Sequence, residues 1–152
     1  MRIMLRRAIL VVLLLAISSF AADKLSFWEQ YGEALKNASK DGKPVFVEFY
    51  ADWCVPCRVM EANVFTDSAV VALLKENFHS ARLDVDSKKQ ILCDGKKLSV
   101  GKCHLEQLKL KGVPGFAILD SKGKAILTFT GAFSASEFVK FMNKVLYEGF
   151  DE

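Results

Sequence analysis

The 152-residue sequence predicts an α/β domain with a mixed central sheet and helices on both faces. Three observations carry that expectation. Val45-Phe46-Val47-Glu48-Phe49-Tyr50 is a short apolar run of β-formers, the pattern of a strand buried on both sides. A second such run, 78–85, follows only after helical patterns, which implies a parallel neighbour. Runs 116–119 and 125–130 are joined by Asp120-Ser121-Lys122-Gly123-Lys124, a hairpin signal that adds antiparallel strands.

The N-terminal residues read as separate from that domain. Arg2, Arg6 and Arg7 precede an unbroken apolar run of ten residues, 8–17, and Ser19-Phe20-Ala21 offers a small-x-small cleavage site. This is the layout of a secretory signal peptide over 1–21, and the run is short of the roughly 20 residues that span a bilayer. An uncleaved membrane anchor is the alternative. Those 21 residues hold three of the 21 Lys+Arg and none of the 18 Asp+Glu, so the remainder balances at 18 of each sign. A balanced charge gives no reason to expect nucleic acid or an acidic substrate as partner.

Residues 22–152 form the expected single domain. In 26–40, Phe27, Trp28, Tyr31, Leu35 and Ala38 recur at helical steps, with Ser26 as the expected N-cap and Asp41-Gly42 as the stop. After the strand at 45–50, 57–62 reads as a helix. Another begins at Asp67, with Val70, Val71, Leu73 and Leu74 on its apolar side. Residues 87–101 are polar, Lys-rich and read as irregular; 105–110 reads as a short helix stopped by Gly112. Val113-Pro114-Gly115 is a turn. The amphipathic pattern at 134–146, with Phe138, Phe141, Met142 and Val145 inward, closes the domain.

The chemistry centres on Trp53-Cys54-Val55-Pro56-Cys57. A Cys-x-x-Cys directly after a buried strand and opening a helix is a specific redox signal. Thiol–disulfide exchange needs a thiolate, and free N–H groups at a helix N-terminus stabilise one. Cys54 sits there as the attacking thiol. Cys57, one turn on, can resolve the mixed disulfide. Pro56 suits the first helical turn and fixes the geometry between the sulfurs. The other readings are a structural bridge, whose three-residue step would restrain the unfolded chain little, and half of a zinc site, which requires a further ligand pair.

The stretch Phe49-Tyr50-Ala51-Asp52-Trp53-Cys54-Val55-Pro56-Cys57-Arg58 resembles the thioredoxin active-site segment, and Gly112-Val113-Pro114 resembles that family's cis-proline loop. From Gly42-Lys43-Pro44 to Val64-Phe65-Thr66-Asp67 the chain is most similar to the C-terminal periplasmic domain of the thiol reductase DsbD, and its Trp-Cys-Val-Pro-Cys-Arg core is also similar to TlpA-like exported thioredoxins. The resemblance implies a thioredoxin fold over about 43–146, outside an insertion at about 87–103. It implies that Glu48 is the buried carboxylate beneath the cysteines, able to relay a proton to or from Cys57. An edge position or a lysine partner for Glu48 is the alternative. It further implies that Pro114 is cis and shapes the substrate groove, that the Val113 backbone pairs with substrate, and that Trp53 shields Cys54. Asp52 and Arg58 are expected to be solvated charges that flank the site.

Cys93 and Cys103 are the second pair, since the spacing favours 54–57 and 93–103 among the three possible pairings. The strand at 78–85 should end on the same sheet edge as 45–50, so the insertion is expected to overlook the active site. Three roles stay open for it: a structural disulfide, a second redox pair exchanging with Cys54, or a metal site with His104. His79 is expected to be structural, and Lys88, Lys89, Lys96, Lys97 and Lys102 to solvate the loop.

The function expected is that of an exported thiol:disulfide oxidoreductase, extracytoplasmic or periplasmic, reducing protein disulfides through Cys54 and Cys57. No cofactor or metal is expected, since the cysteines store the electrons. The expected partners are protein disulfides and, by the resemblance, a membrane thiol-reductant donor; the chain is expected to be a monomer. The alternative is a non-catalytic thioredoxin-fold module that binds a metal or a client protein.

Overall fold

A computed structural model describes residues 26–149; the signal-peptide expectation for 1–21 lies outside the described residues. The elements are β1 (Trp28–Glu29), α1 (Tyr31–Asp41), β2 (Val45–Tyr50), α2 (Val55–Asn63), α3 (Ser68–Asn77) and β3 (His79–Asp84). They continue as β4 (Gln90–Cys93), β5 (Lys96–Ser99), a short turn α4 (Val100–Lys102) running into a π-helical turn (Cys103–Gln107), β6 (Gly115–Leu119), β7 (Ala125–Thr130) and α5 (Ala135–Glu148). The main sheet has the order β1-β3-β2-β6-β7. β1, β3 and β2 run parallel, whereas β6 and β7 are antiparallel additions. This is the mixed sheet the strand pattern implied.

β2 is central, and its alternation divides the core. Val45, Val47 and Phe49 pack with Tyr31, Ala34 and Ala38 of α1 on one face. Phe46 points to the other, with Met60 of α2, Leu74 of α3 and Phe138 and Met142 of α5. Phe46 stacks on Phe116 at 5.7 Å and meets Phe138 edge-on at 5.8 Å. Each such buried aromatic contributes roughly 1.5–3 kcal/mol through area removed from water. Glu48 follows Phe46 by two residues, so it enters this second, α2-covered face.

Several local expectations change. Residues 26–40 are not one helix: Trp28 and Glu29 form an edge strand against Ser80 and Ala81, and the helix starts at Tyr31 with Gln30, not Ser26, at its N-cap. The helical spacing of Trp28 with Tyr31 misled because Trp28 packs on Phe46 and Phe65 across the sheet, whereas Tyr31 belongs to the opposite core. The helix at 57–62 begins earlier, at Val55. The 87–101 segment is not irregular. It holds the β4–β5 hairpin, turned by Asp94 (φ 47°) and Gly95 (φ 80°). The helix expected at 105–110 lies earlier, over α4 and the π-helical turn, and Lys109 at φ 56° ends it. His79 ties three elements together: its Nδ1 lies 2.7 Å from Glu29 Oε1 and its Nε2 lies 2.9 Å from Asp41 Oδ2. Among the described residues, no helix is long and apolar enough to cross a membrane.

Candidate active site

β2 delivers the chain to the site, and a tight turn follows, with Cys54 N–H donating to Ala51 O at 3.0 Å. Cys54 is the N-cap residue of α2, and Pro56 lies in the first turn. Cys54 and Cys57 form a disulfide with Cα atoms 5.3 Å apart. The Cys57 N–H donates to Cys54 Sγ at 3.2 Å. That N–H, at a helix start, would meet a thiolate at the same sulfur when the pair is reduced. Both cysteines are buried, at 3% and 2% exposure, against Ala51, Tyr50, Val85 and Val113.

Trp53 stands beside them at 67% exposure. Its indole Nε1–H donates to Asp86 Oδ2 at 2.8 Å, and Asp86 N–H in turn donates to Asp84 Oδ1 at 2.9 Å. The end of β3 therefore orients the tryptophan. Val55 and Val59 are also exposed, so the cysteines carry an apolar collar. Arg58 folds back to donate from Nη1 to Asp52 O at 2.6 Å, bracing the turn rather than only solvating it.

The Val113–Pro114 peptide is cis. Val113 packs against the cysteine cluster, and Pro114 O accepts from Gly131 N at 3.0 Å. The Gly112-Val113-Pro114 loop and the Cys-x-x-Cys thus meet, although 55 residues lie between Cys57 and Val113 along the chain.

Glu48 is fully buried. Its alternative placements are excluded, because β2 is central and its partner is an arginine: Arg82 Nε donates to Glu48 Oε2 at 2.6 Å. Arg82 Nη1 also donates to Glu61 Oε1 at 2.7 Å. Glu61 lies one turn beyond Cys57 on α2, so one guanidinium links the buried acid to the cysteine helix. Tyr50 and Trp28 cover it, with ring centres 4.4 and 5.3 Å away. Glu48 Oε1 is buried without a hydrogen-bond partner among the described residues. Burial raises the Glu48 carboxyl from its ordinary 4.5 to about 7, although Arg82 pulls it down; the nearby Glu61 adds to the rise. A carboxyl that titrates near neutrality can accept and return a proton.

The second pair is elsewhere. Cys93 and Cys103 form a disulfide, buried at 2% and 1%, within the core that contains Tyr31, Val47 and Phe49. That is the face opposite Glu48 and α2. Val85 and Asp86, which lead from β3 into the insertion, are the residues that reach the active site. His104 Nε2 faces Gly112 O at 3.0 Å rather than the two sulfurs. Among the described residues, no group of three or more His, Cys, Asp or Glu side chains is arranged to hold a metal ion.

Three site residues were not singled out from the sequence. Arg82 and Glu61 become visible only with the β2–β3 register, which sets Glu48 opposite Arg82. Asp86 could have been suspected as an acid just after a strand that ends beside the Cys-x-x-Cys turn.

Residues 31–146 match the family model for a thioredoxin-like domain. The chain is 31% identical over 128 residues to the thioredoxin-like protein HCF164 of Arabidopsis thaliana, covering 78% of this chain and 42% of that protein. It is 31% identical over 142 residues to the thiol:disulfide interchange protein TxlA homolog of a Synechocystis strain, covering 84% of this chain and 68% of the relative. Among solved structures, the reduced C-terminal domain of Neisseria meningitidis DsbD superposes with a TM-score of 0.57 at 25% identity, over 74% of this chain and 91% of that domain. The chain spans less than half the length of HCF164. The architecture is the thioredoxin fold.

Proposed function

The chain belongs to the thioredoxin-like family, and from that premise we propose that it is an exported thiol:disulfide oxidoreductase that reduces protein disulfides. The observation that carries the reading is the meeting of Cys54–Cys57, at the start of α2, with Val113 of the cis-Pro114 loop, together with a buried Glu48 linked through Arg82 to Glu61 on that same helix.

In the reduced protein, the Cys54 thiolate attacks one sulfur of a substrate disulfide. A Cys54–substrate bond forms and the substrate's other sulfur leaves as a thiolate. Glu48, ionised, takes the proton from Cys57. The Cys57 thiolate then attacks Cys54 Sγ, the intramolecular disulfide forms, and the second substrate thiolate departs. Two electrons pass to the substrate, the proton taken from Cys57 returns from Glu48 to one departing thiolate, the other thiolate takes its proton from solvent, and the protein finishes in the oxidised form seen here. The backbone of Val113, held by cis-Pro114, lines the groove where an extended substrate segment would pair. The exposed apolar collar of Trp53, Val55 and Val59 suits a polypeptide substrate.

Continuous turnover in an oxidising compartment requires re-reduction of the pair. The likeness to the DsbD C-terminal domain supports a membrane thiol donor as its source, and the signal-peptide reading of 1–21 supports an extracytoplasmic or periplasmic location. We assign Cys93–Cys103 a structural role, because the pair is buried on the opposite face of the sheet.

Reduction of insulin by the chain without residues 1–21, with dithiothreitol as electron source, tests the proposal. Cys54→Ser should abolish turnover, and Cys57→Ser should accumulate a mixed disulfide through Cys54. Turnover that survives Cys54→Ser would refute the assignment.

A further inference from the structure

We infer that His104 is a positioning residue for the substrate loop: its imidazole anchors the Gly112 carbonyl and so holds Val113 and cis-Pro114 against the cysteine pair. The inference rests on the oxidoreductase reading for its kinetic consequence and on geometry alone for the contact.

His104 is buried, at 3% exposure, in the π-helical turn. A carbonyl can only accept, so Nε2 carries the hydrogen and donates to Gly112 O across 3.0 Å. Burial pulls the ring's pKa down, against the pull of this bond, which leaves a neutral ring at pH 7. Three features fix the ring. Its centre lies 5.5 Å from that of Phe49 in β2. Its own carbonyl accepts from Leu110 N at 3.0 Å. Its neighbour Cys103 is bonded to Cys93 at the end of β4.

Gly115 shows how closely the parts fit. A Cβ there would stand 2.9 Å from Gly112 O and 3.2 Å from His104 Nε2. The side chain would enter the space this contact uses. The histidine, the carbonyl and the glycine therefore form one small unit behind the loop. Gly112 precedes Val113, the residue on the cysteine cluster. Releasing the carbonyl would let the docking strand move without touching either sulfur. A protein substrate needs that strand, and a small disulfide does not.

The test uses three variants of the chain without residues 1–21: His104→Leu, which deletes the donor; His104→Gln, which restores an N–H at similar reach; and Gly115→Ala, which keeps His104 but crowds the contact. Substrates are insulin and oxidised glutathione, and tryptic cleavage after Lys109 and Lys111 reports loop release directly. Loss of one buried hydrogen bond predicts a rise of about three- to tenfold in KM for insulin with His104→Leu and Gly115→Ala. kcat and the rate with oxidised glutathione should stay within about twofold, since no reacting atom is touched. Cleavage after Lys109 or Lys111 should quicken in both variants, and His104→Gln should restore most of both losses. An unchanged KM, an equal loss on both substrates, or unchanged cleavage would overturn the inference. If His104→Leu fails to fold, Gly115→Ala and His104→Gln decide it by the same readouts. If the parent chain turns over neither substrate, the oxidoreductase reading fails, and the cleavage pattern alone decides whether His104 holds the loop.

Discussion

Arg82 stands directly across the parallel β2–β3 pair from Glu48 and donates to its carboxylate, while the same guanidinium reaches Glu61 on the helix of Cys57. One cation serves two acids, the fully buried Glu48 and the exposed Glu61. The Glu48 carboxyl consequently stays near 7 instead of falling, because burial and Glu61 together outweigh Arg82.

That balance predicts a pH-dependent stability. The native Glu48 titrates at about 7 and the unfolded group at 4.5, so the native state binds more protons between those values. Stability is full below about pH 4.5 in this respect and declines as pH rises towards 7. Glu48→Gln removes the decline. At pH 8 the oxidised variant should be more stable than the parent by about 1–3 kcal/mol. His79 adds a decline of the same sign: burial lowers its pKa, but bonds to Asp41 and Glu29 overcome that and raise it. Chemical denaturation of parent and variant side by side isolates Glu48; parallel pH profiles would refute its burial as an acid.

Arg82 and Glu61 should move the Glu48 titration in opposite directions. Arg82→Met removes the attraction and should raise it further. Glu61→Gln removes a repulsion and frees Arg82 for Glu48, and should lower it. Carboxyl-carbon NMR titration reads both shifts. Displacement in the same direction would mean that Glu61 does not compete for the guanidinium.

The Trp53–Asp86 bond should matter to protein substrates. Asp86→Ala frees an exposed indole that is otherwise held at 2.8 Å. Steady-state anisotropy of Trp53, read with Trp28→Phe to remove the other tryptophan, should fall. kcat/KM for insulin should drop by about two- to tenfold, the range of one lost hydrogen bond. Unchanged anisotropy would show that the collar, not Asp86, orients the ring.

Removing the second disulfide by Cys93→Ser with Cys103→Ser should lower stability by about 2–3 kcal/mol, as loop-closure entropy predicts for so short a loop. The redox equilibrium of Cys54–Cys57 should not change, because the two bridges lie in separate clusters. Thermal melts and thiol quantification check both halves. A shifted equilibrium would point to exchange between the pairs.

The sequence exposed those parts of the site that are local in the chain. Cys54, Pro56 and Cys57 announce themselves because strand, turn and helix start follow one another within a few residues. Pro114 and Glu48 could be assigned only through the family resemblance, since nothing near them shows what they face. Arg82 was invisible because its role depends on register across two strands. The β4–β5 hairpin was legible in Asp94-Gly95, but the surrounding lysines masked the alternation of Ile91 and Cys93 towards the core. Trp28 was misassigned because three-residue spacing to Tyr31 fits a helix, and only tertiary packing separates the two cores.

The most direct test is a redox titration of the chain without residues 1–21 in graded dithiol–disulfide buffers, with each cysteine pair followed by alkylation and mass spectrometry. The expected result is cooperative, reversible reduction of Cys54 and Cys57 near the thioredoxin potential of about −270 mV, while Cys93–Cys103 stays oxidised. A midpoint near −120 mV would contradict the proposed reducing direction. A Cys54–Cys57 pair that does not exchange would contradict the oxidoreductase itself.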